Sequence, residues 1–365
     1  MDAQKFLNIF MDQNNKCNLK CRMCGFSDPR VKYIPHYDMP FWLFKKIAKE
    51  AFPFTKYLAL SCLTEPLMTR DLPKRLDLLK EYRVPFSEII TNGVLLKEKI
   101  ISKILEVPIT RLGISLDGAT AETYESIRIG SSFSKVIANI HLFNKMKADR
   151  GSDLPHLRLL HVISEANINE FPALLAQDET LKAQSVDFRT IIPIHNAGLQ
   201  ASDAKWFWKK IEKCRELLSE WTQKTGVENT GILRYQAEEN KLLDENGEKL
   251  ICRRPWDTLA IHANGDAYPC MTWSRGPIGN IAHESFDQIW NGQALEMIRK
   301  EFLVKKPGVD CQHCVIKKNG PTDEDNDFFF KMLNKFPPLK TNPSPWARCK
   351  SWWTIARTRR RRNYA

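Results

Sequence analysis

Three cysteines, Cys17, Cys21 and Cys24, stand within the segment CNLKCRMC. Three thiolates on one short loop can hold three irons of a four-iron cluster and leave the fourth without a protein ligand. An unligated iron can bind a substrate or cofactor, which the fully ligated cluster of an electron carrier cannot. Other readings stay open on spacing alone. A zinc site wants a fourth ligand, with His36 the nearby candidate. A ferredoxin-type cluster wants a fourth cysteine, and none follows before Cys62. The three could also be plain thiols.

A second set, Cys252, Cys270, Cys311 and Cys314, is separated by 17, 40 and 2 residues. Four thiolates satisfy either tetrahedral zinc or a fully ligated four-iron cluster. A zinc ribbon contributes two close pairs, whereas this set has one pair and two singles, and both metals stay open. Of the ten cysteines, only Cys62, Cys214 and Cys349 lie outside the two sets. The N-terminal segment lacks a basic stretch followed by an apolar core, so no secretion signal is read and the cytoplasm is the expected compartment. Clustered cysteines in that reducing setting point to metal or thiol chemistry.

The elements that must position these cysteines alternate. Strand-like runs fall at 6–10, 57–61, 86–91, 110–116, 157–163 and 186–192, and helical periodicity at 41–52, 73–82, 97–105, 133–149, 171–181 and 204–225. Six βα units in sequence predict a parallel sheet wrapped by helices, as an open sheet or a barrel. The first cysteine set follows the first strand, where such folds build active sites. Near residue 226 the rhythm changes. The run TLAIHANGDAYPC predicts a hairpin turning at Asn264-Gly265, followed by helices at 286–290 and 294–302. The expected division is 1–225, a second cysteine-bearing domain at 226–320, and a Trp/Arg-rich tail at 321–365.

The net charge of +12 does not indicate a nucleic-acid partner. Arg348, Lys350, Arg357 and Arg359 to Arg362 supply +7 of it in a segment without acids, so the remainder carries only +5. That tail, with Trp346, Trp352 and Trp353, is read as a weak membrane-surface contact or a solubilising end. The run Lys205 to Lys210 reads as an aromatic-packed helix face. No apolar run approaches the roughly 18–20 residues that span a bilayer.

CxxxCxxC after a first strand resembles the signature of the radical S-adenosylmethionine superfamily, and further matches follow in order. TEPL at Thr64–Leu67 resembles the segment that meets the methionine amino group. ITNG, with Asn92, resembles the family's TNG, and SLDG, with Ser115 and Asp117, its SxDG. In AETYESIRIGSSF, Arg128 matches an arginine that commonly meets the cofactor carboxylate. Two departures stand out: Met23 replaces the usual aromatic residue at adenine, and Cys62, Leu63 and Thr64 replace glycines before Glu65. The resemblance spans about residues 5–195. It implies a partial (β/α)6 TIM-like barrel and a SAM-binding 4Fe–4S cluster on Cys17, Cys21 and Cys24. It also implies S-adenosyl-L-methionine near Met23, Thr64, Glu65, Asn92, Ser115, Asp117 and Arg128, and an external one-electron reductant such as a flavodoxin or ferredoxin. Cleavage of the sulfonium would yield a 5′-deoxyadenosyl radical, which needs a closed, dry pocket.

CRRPWDTLAIHANGDAYPC, GNI, FDQIW and CQHC resemble the SPASM/twitch extension of that superfamily. Only Cys349 follows Cys314, so the single-cluster twitch form fits, with intervals similar to those of the butirosin-pathway amino-cyclitol dehydrogenase. The resemblance implies an auxiliary 4Fe–4S cluster on Cys252, Cys270, Cys311 and Cys314, and an oxidoreductase or epimerase acting on a carbohydrate-like or cyclitol alcohol. In oxidation, the substrate radical loses a proton and an electron. In epimerisation, a thiol returns a hydrogen atom; Cys62 leads Cys214 and Cys349 as donor, although each also suits a small buried apolar role. His195, in IIPIHNAG, is a candidate base or a loop histidine bonded to backbone. Two alternatives stand. A maturase acting on a ribosomal peptide or protein side chain is disfavoured, because only sixteen residues precede Cys17. A non-catalytic, metal-stabilised interaction protein rests on the altered residues before Glu65.

Overall fold

A computed structural model describes residues 5–190, 205–230, 252–273, 275–304, 306–308 and 311. His195, Cys314, Cys349 and the Trp/Arg-rich tail lie outside the described residues. Six strands and their helices come first: β1 (Leu7–Met11), α1 (Phe41–Ala51), β2 (Thr55–Ala59), α2 (Leu72–Leu78), β3 (Phe86–Thr91), α3 (Glu98–Leu105) and β4 (Arg111–Ser115). Then come α4 (Ala121–Ile127), α5 (Phe133–Asp149), β5 (His156–Ile163), α6 (Phe171–Thr180), β6 (Ser185–Thr190) and α7 (Lys205–Thr225). β1 to β6 pair in chain order, each parallel to the next.

Alternation along the strands separates two faces. Leu7, Ile9, Leu112, Ile114, Val186 and Phe188 are buried in the core that the helices cover. The other face carries buried charge: Glu88 of β3 accepts from Arg158 of β5 at 2.8 Å, reaching across β4. Side chains on strands two apart thus meet over β4 on this face, the inner face of the partial barrel that the resemblance implies. The C-terminal ends of the parallel strands form its mouth.

The second part of the chain is joined to the first. After α7 come β7 (Glu228–Asn229), α8 (Arg254–Asp257), β8 (Thr258–Ile261), β9 (Asp266–Tyr268), β10 (Gly279–Asn280), α9 (Phe286–Trp290) and α10 (Gln293–Leu303). The hairpin β8–β9 forms as expected. However, β8 also runs parallel to β1, with Asn8 opposite Thr258 and Met11 opposite Ile261. Among the described residues one ten-stranded sheet results, in the order β10-β9-β8-β1-β2-β3-β4-β5-β6-β7. The short β7 pairs with β6 and carries the parallel run past residue 225. Periodicity did not reveal β7, α4 or α8, because two to seven residues are too few to establish a period. The Thr120 side chain that caps α4, accepting from the Thr123 amide at 3.2 Å, is the local signal for that helix.

Candidate metal and cofactor centre

The first cysteine set leaves β1 through an anchored stretch. Asn14 Nδ2 donates to the Glu65 carbonyl at 2.9 Å and to Thr69 Oγ1 at 2.8 Å, while its Oδ1 accepts from the Lys16 amide at 2.7 Å. Further along, the Lys20 and Arg22 amides donate to the Ile129 and Ile127 carbonyls, each at 2.9 Å. The loop is thus held between the end of β2 and the end of α4. Cys21 is buried, and Cys17 and Cys24 are half-buried.

Burial pushes the Cys17 thiol up to about 12 and Cys21 up to about 11, and it raises Cys24 as well. These thiols stay neutral until a cation joins them, and coordination to a metal reverses that balance. Two donors already face the sulfurs: Arg128 Nη1 lies 3.9 Å from Cys21 Sγ, and Asn92 Nδ2 lies 4.0 Å from Cys17 Sγ. Among the described residues no three His, Cys, Asp or Glu side chains converge as a preformed cage. The donor chemistry nevertheless fits a thiophilic cluster, with three soft ligands on one buried loop and a guanidinium and an amide directed at them.

The other residues of the resemblance gather at the same mouth. Glu65, buried, accepts from Thr91 Oγ1 at 2.6 Å, the Asn92 amide at 2.8 Å and the Leu67 amide at 3.1 Å. Burial raises its pKa, and these bonds and Arg128 oppose the rise. The Glu65 carboxylate therefore clasps the ends of β2 and β3 and orients the loop. Asn92 Nδ2 donates to Asn18 Oδ1 at 2.9 Å. Asp117, fully buried, accepts from the Val162 amide at 2.6 Å and pairs with Arg128 Nε at 2.7 Å. Burial alone would lower the Arg128 pKa, but Asp117 and Cys21 raise it, so the guanidinium stays charged. Gly118 is required here, since a Cβ would lie 2.5 Å from the Tyr124 amide. Ser115 ends β4 half-buried, and Met23, half-buried, packs on the main core.

The segment that replaces the glycines has its own support. Asp12 Oδ1 accepts from the amides of Cys62, Leu63 and Thr64 at 3.0, 2.9 and 3.1 Å, and from Thr64 Oγ1 at 2.9 Å. A side-chain carboxylate thus fixes the turn without glycine. The sequence reading missed Asp12, Asn14 and Asn18. Their only advance signal is position, immediately after a strand that leads into spaced cysteines.

In the second set, Cys252, Cys270 and Cys311 all pack against the apolar group of Tyr268, Trp273, Leu295, Ile298 and Phe302, beside Phe10 of β1. Cys62 lies near Asp12 and Cys270. Burial raises its thiol well above the ordinary value, and the nearby Asp12 and Cys270 raise it further. Cys214 is buried in the core of α7, where burial pushes its thiol up to about 11. That is the apolar role weighed for it.

The Radical SAM superfamily profile matches residues 14–175, and the SPASM profile, an iron–sulfur cluster-binding domain, matches residues 252–315. Among curated proteins, the chain is 26% identical to a probable GTP 3′,8-cyclase of Methanococcus maripaludis over 44% of its own length and 51% of that protein. It is 21% identical to a Fe-coproporphyrin III synthase of Methanosarcina barkeri over 84% of its length and 80% of that protein. The chain thus spans about half the length of the cyclase relatives it matches. Two solved structures share the fold. SuiB of Streptococcus suis bound to S-adenosylmethionine has a TM-score of 0.63 at 15% identity, covering 80% of this chain and 67% of that one. Native anSMEcpe with bound AdoMet has a TM-score of 0.62 at 18% identity, covering 90% and 97%. No helix among the described residues is long and apolar enough to cross a membrane. With CxxxCxxC at the mouth of a parallel barrel and a second cysteine group seated on the first strand's edge, the chain carries a radical S-adenosylmethionine superfamily domain at residues 14–175 and a SPASM iron–sulfur cluster-binding domain at residues 252–315.

Proposed function

We propose that this chain is an enzyme that oxidises or epimerises a carbohydrate-like or cyclitol alcohol, with Cys17, Cys21 and Cys24 holding the site-open cluster. Cys252, Cys270, Cys311 and Cys314 would hold the auxiliary one. When bound, the first cluster and S-adenosylmethionine supply a hydrogen-abstracting 5′-deoxyadenosyl radical, fed by an external reductant such as a flavodoxin or ferredoxin, and the auxiliary cluster supplies an electron acceptor. The chain's own residues arrange the rest. Arg128, kept charged by Asp117, faces the cysteine loop and suits the cofactor carboxylate. Glu65 and Asp12 fix the backbone at the ends of β2 and β3, while Asn92 orients the loop at Cys17. The radical chemistry requires that the lumen, once substrate is bound, exclude water from the reacting carbon.

The observation that carries this reading is the seating of Cys252, Cys270 and Cys311 around one apolar group on the β1 edge of the barrel. Two sites joined by one sheet suit a reaction that removes both a hydrogen atom and an electron. In the epimerase form, Cys62, at the C-terminal end of β2 beside Asp12, is the hydrogen donor. A second reading follows from the Fe-coproporphyrin III synthase relative, matched over most of both chains: a porphyrin-type substrate, again modified at an unactivated C–H bond.

The test is anaerobic reconstitution with iron and sulfide, followed by counting iron and measuring 5′-deoxyadenosine after adding S-adenosylmethionine and dithionite. About eight irons per chain are expected, from two four-iron clusters. A Cys17/Cys21/Cys24 triple alanine variant should hold about four and make no 5′-deoxyadenosine. Zinc in the second site would remove the electron-acceptor argument. Incubation with iron-bound tetrapyrroles, followed by absorption spectra with formation of Fe-coproporphyrin as the positive outcome, separates the two substrate readings.

A further inference from the structure

The lumen holds a charged chain that the chemistry above does not use. Tyr57 Oη donates to Glu88 at 2.6 Å, and Arg111 Nε and Arg158 Nη1 donate to the same carboxylate at 2.9 and 2.8 Å. Arg158 Nη2 meets Asp187, and Arg189 grips Asp187 through two bonds, Nε to Oδ1 at 2.8 Å and Nη2 to Oδ2 at 2.6 Å. Among the described residues this chain places three guanidiniums on two carboxylates. Glu88 and Asp187 are fully buried, whereas the Arg189 side chain is 54% exposed.

Position and orientation both bear on what Arg189 does. It alternates with Val186 and Phe188, which enter the helix-covered core, so it lies on the lumen side of β6. It is the penultimate residue of that strand, at the end where Asn92 and Asp117 follow β3 and β4. Its two-point grip on a buried carboxylate, itself held by Arg158, fixes the plane of the fork before anything binds. A planar guanidinium fixed in this way is suited to a carboxylate or phosphate, and prior fixing lowers the ordering cost of binding. The arginines also crowd one another: burial lowers the Arg158 pKa, and Arg111 and Arg189 lower it further. An arriving anion relieves that repulsion.

We propose that Arg189 is a substrate anchor, and that the small-molecule substrate carries an anionic group, carboxylate or phosphate, held at the lumen mouth beside β6. This deepens the proposed function and rests on it only in taking the lumen as the substrate chamber.

The test titrates reconstituted holoenzyme, with S-adenosylmethionine present, by calorimetry at constant ionic strength, using inorganic phosphate in one arm and acetate in the other. At least one anion should bind in the millimolar range. Arg189→Gln should weaken it about tenfold or more, Arg189→Lys should retain part of the affinity, and Lys145→Gln on the exposed face of α5 should leave it unchanged. Affinity for S-adenosylmethionine should stay within about twofold in all three. The arm that responds tells phosphate from carboxylate. No binding of either anion, equal binding by wild type and Arg189→Gln, or a loss confined to S-adenosylmethionine would overturn the assignment. Circular dichroism establishes that each variant is folded. 5′-Deoxyadenosine formation in the same samples reports separately on the radical chemistry, so failure of one reading is not mistaken for failure of the other.

Discussion

Arg128 Nε lies 2.7 Å from Asp117 Oδ2 while its Nη1 lies 3.9 Å from Cys21 Sγ, so one guanidinium ties the end of β4 to the cysteine loop. The pair is buried, and its strength depends on both members being present. Arg128→Met leaves a buried carboxylate without its counter-ion and should destabilise the chain by about 3–5 kcal/mol. Asp117→Asn combined with Arg128→Met should recover part of that loss. S-adenosylmethionine affinity should fall in both, because the cation is gone from both. Urea unfolding and equilibrium dialysis check the two effects, and equal stability of the single and double variants would refute the pairing.

Gly265 carries a φ of +91° in the β8–β9 turn, and a Cβ there would meet Asn280 Oδ1 at 2.8 Å. Gly265→Ala therefore combines backbone strain with a clash, for a cost of about 1–3 kcal/mol. The turn lies five residues before Cys270. Reconstituted Gly265→Ala should lose iron from the second site, toward about four per chain, while still cleaving S-adenosylmethionine. Full iron in this variant would mean that the second site does not depend on the turn.

Glu88 gives the lumen a defined pH response. Burial alone would raise its pKa, but Arg158, Arg111 and the Tyr57 hydroxyl together hold it below the usual carboxylate value of 4.5. A folded-state pKa below the unfolded one means that the unfolded chain binds the proton more readily. The stabilisation is fully present above about pH 4.5 and is lost as pH falls through the folded value. Glu88→Gln should be less stable at pH 7, leaving two arginines short of a partner, and its acid unfolding should be flatter. Denaturant midpoints at stepped pH test this, and parallel curves for the two proteins would remove Glu88 from the acid response.

Much of this was legible in the sequence because the signals were local. The strand at 86–91 and the helix at 133–149 stand at their expected positions, since each has a full period between clear breaks. The cysteines could be selected because chemistry restricts their spacing, and Asp117 because SLDG resembles a family motif. Asp12 could not: its role is to accept three amides from a loop about fifty residues away, and nothing near Asp12 encodes that contact. Glu65 was expected at the cofactor end of the barrel, and the bonds its oxygens accept from Thr91, Leu67 and Asn92 there are a detail only side-chain geometry supplies. The charge chain of Glu88, Arg158 and Asp187 was likewise hidden, because its members come from three strands that only the folded sheet brings together.

The parallel contact of β8 with β1 has a consequence outside catalysis. Asn8 to Met11 would otherwise present a row of unpaired amides and carbonyls on the first strand of a curled sheet. Bare strand margins of this kind recruit strands from neighbouring copies and lead to aggregation. The C-terminal module thus covers the first strand's edge, so the segment that carries the second set of cysteines also caps that strand against such pairing.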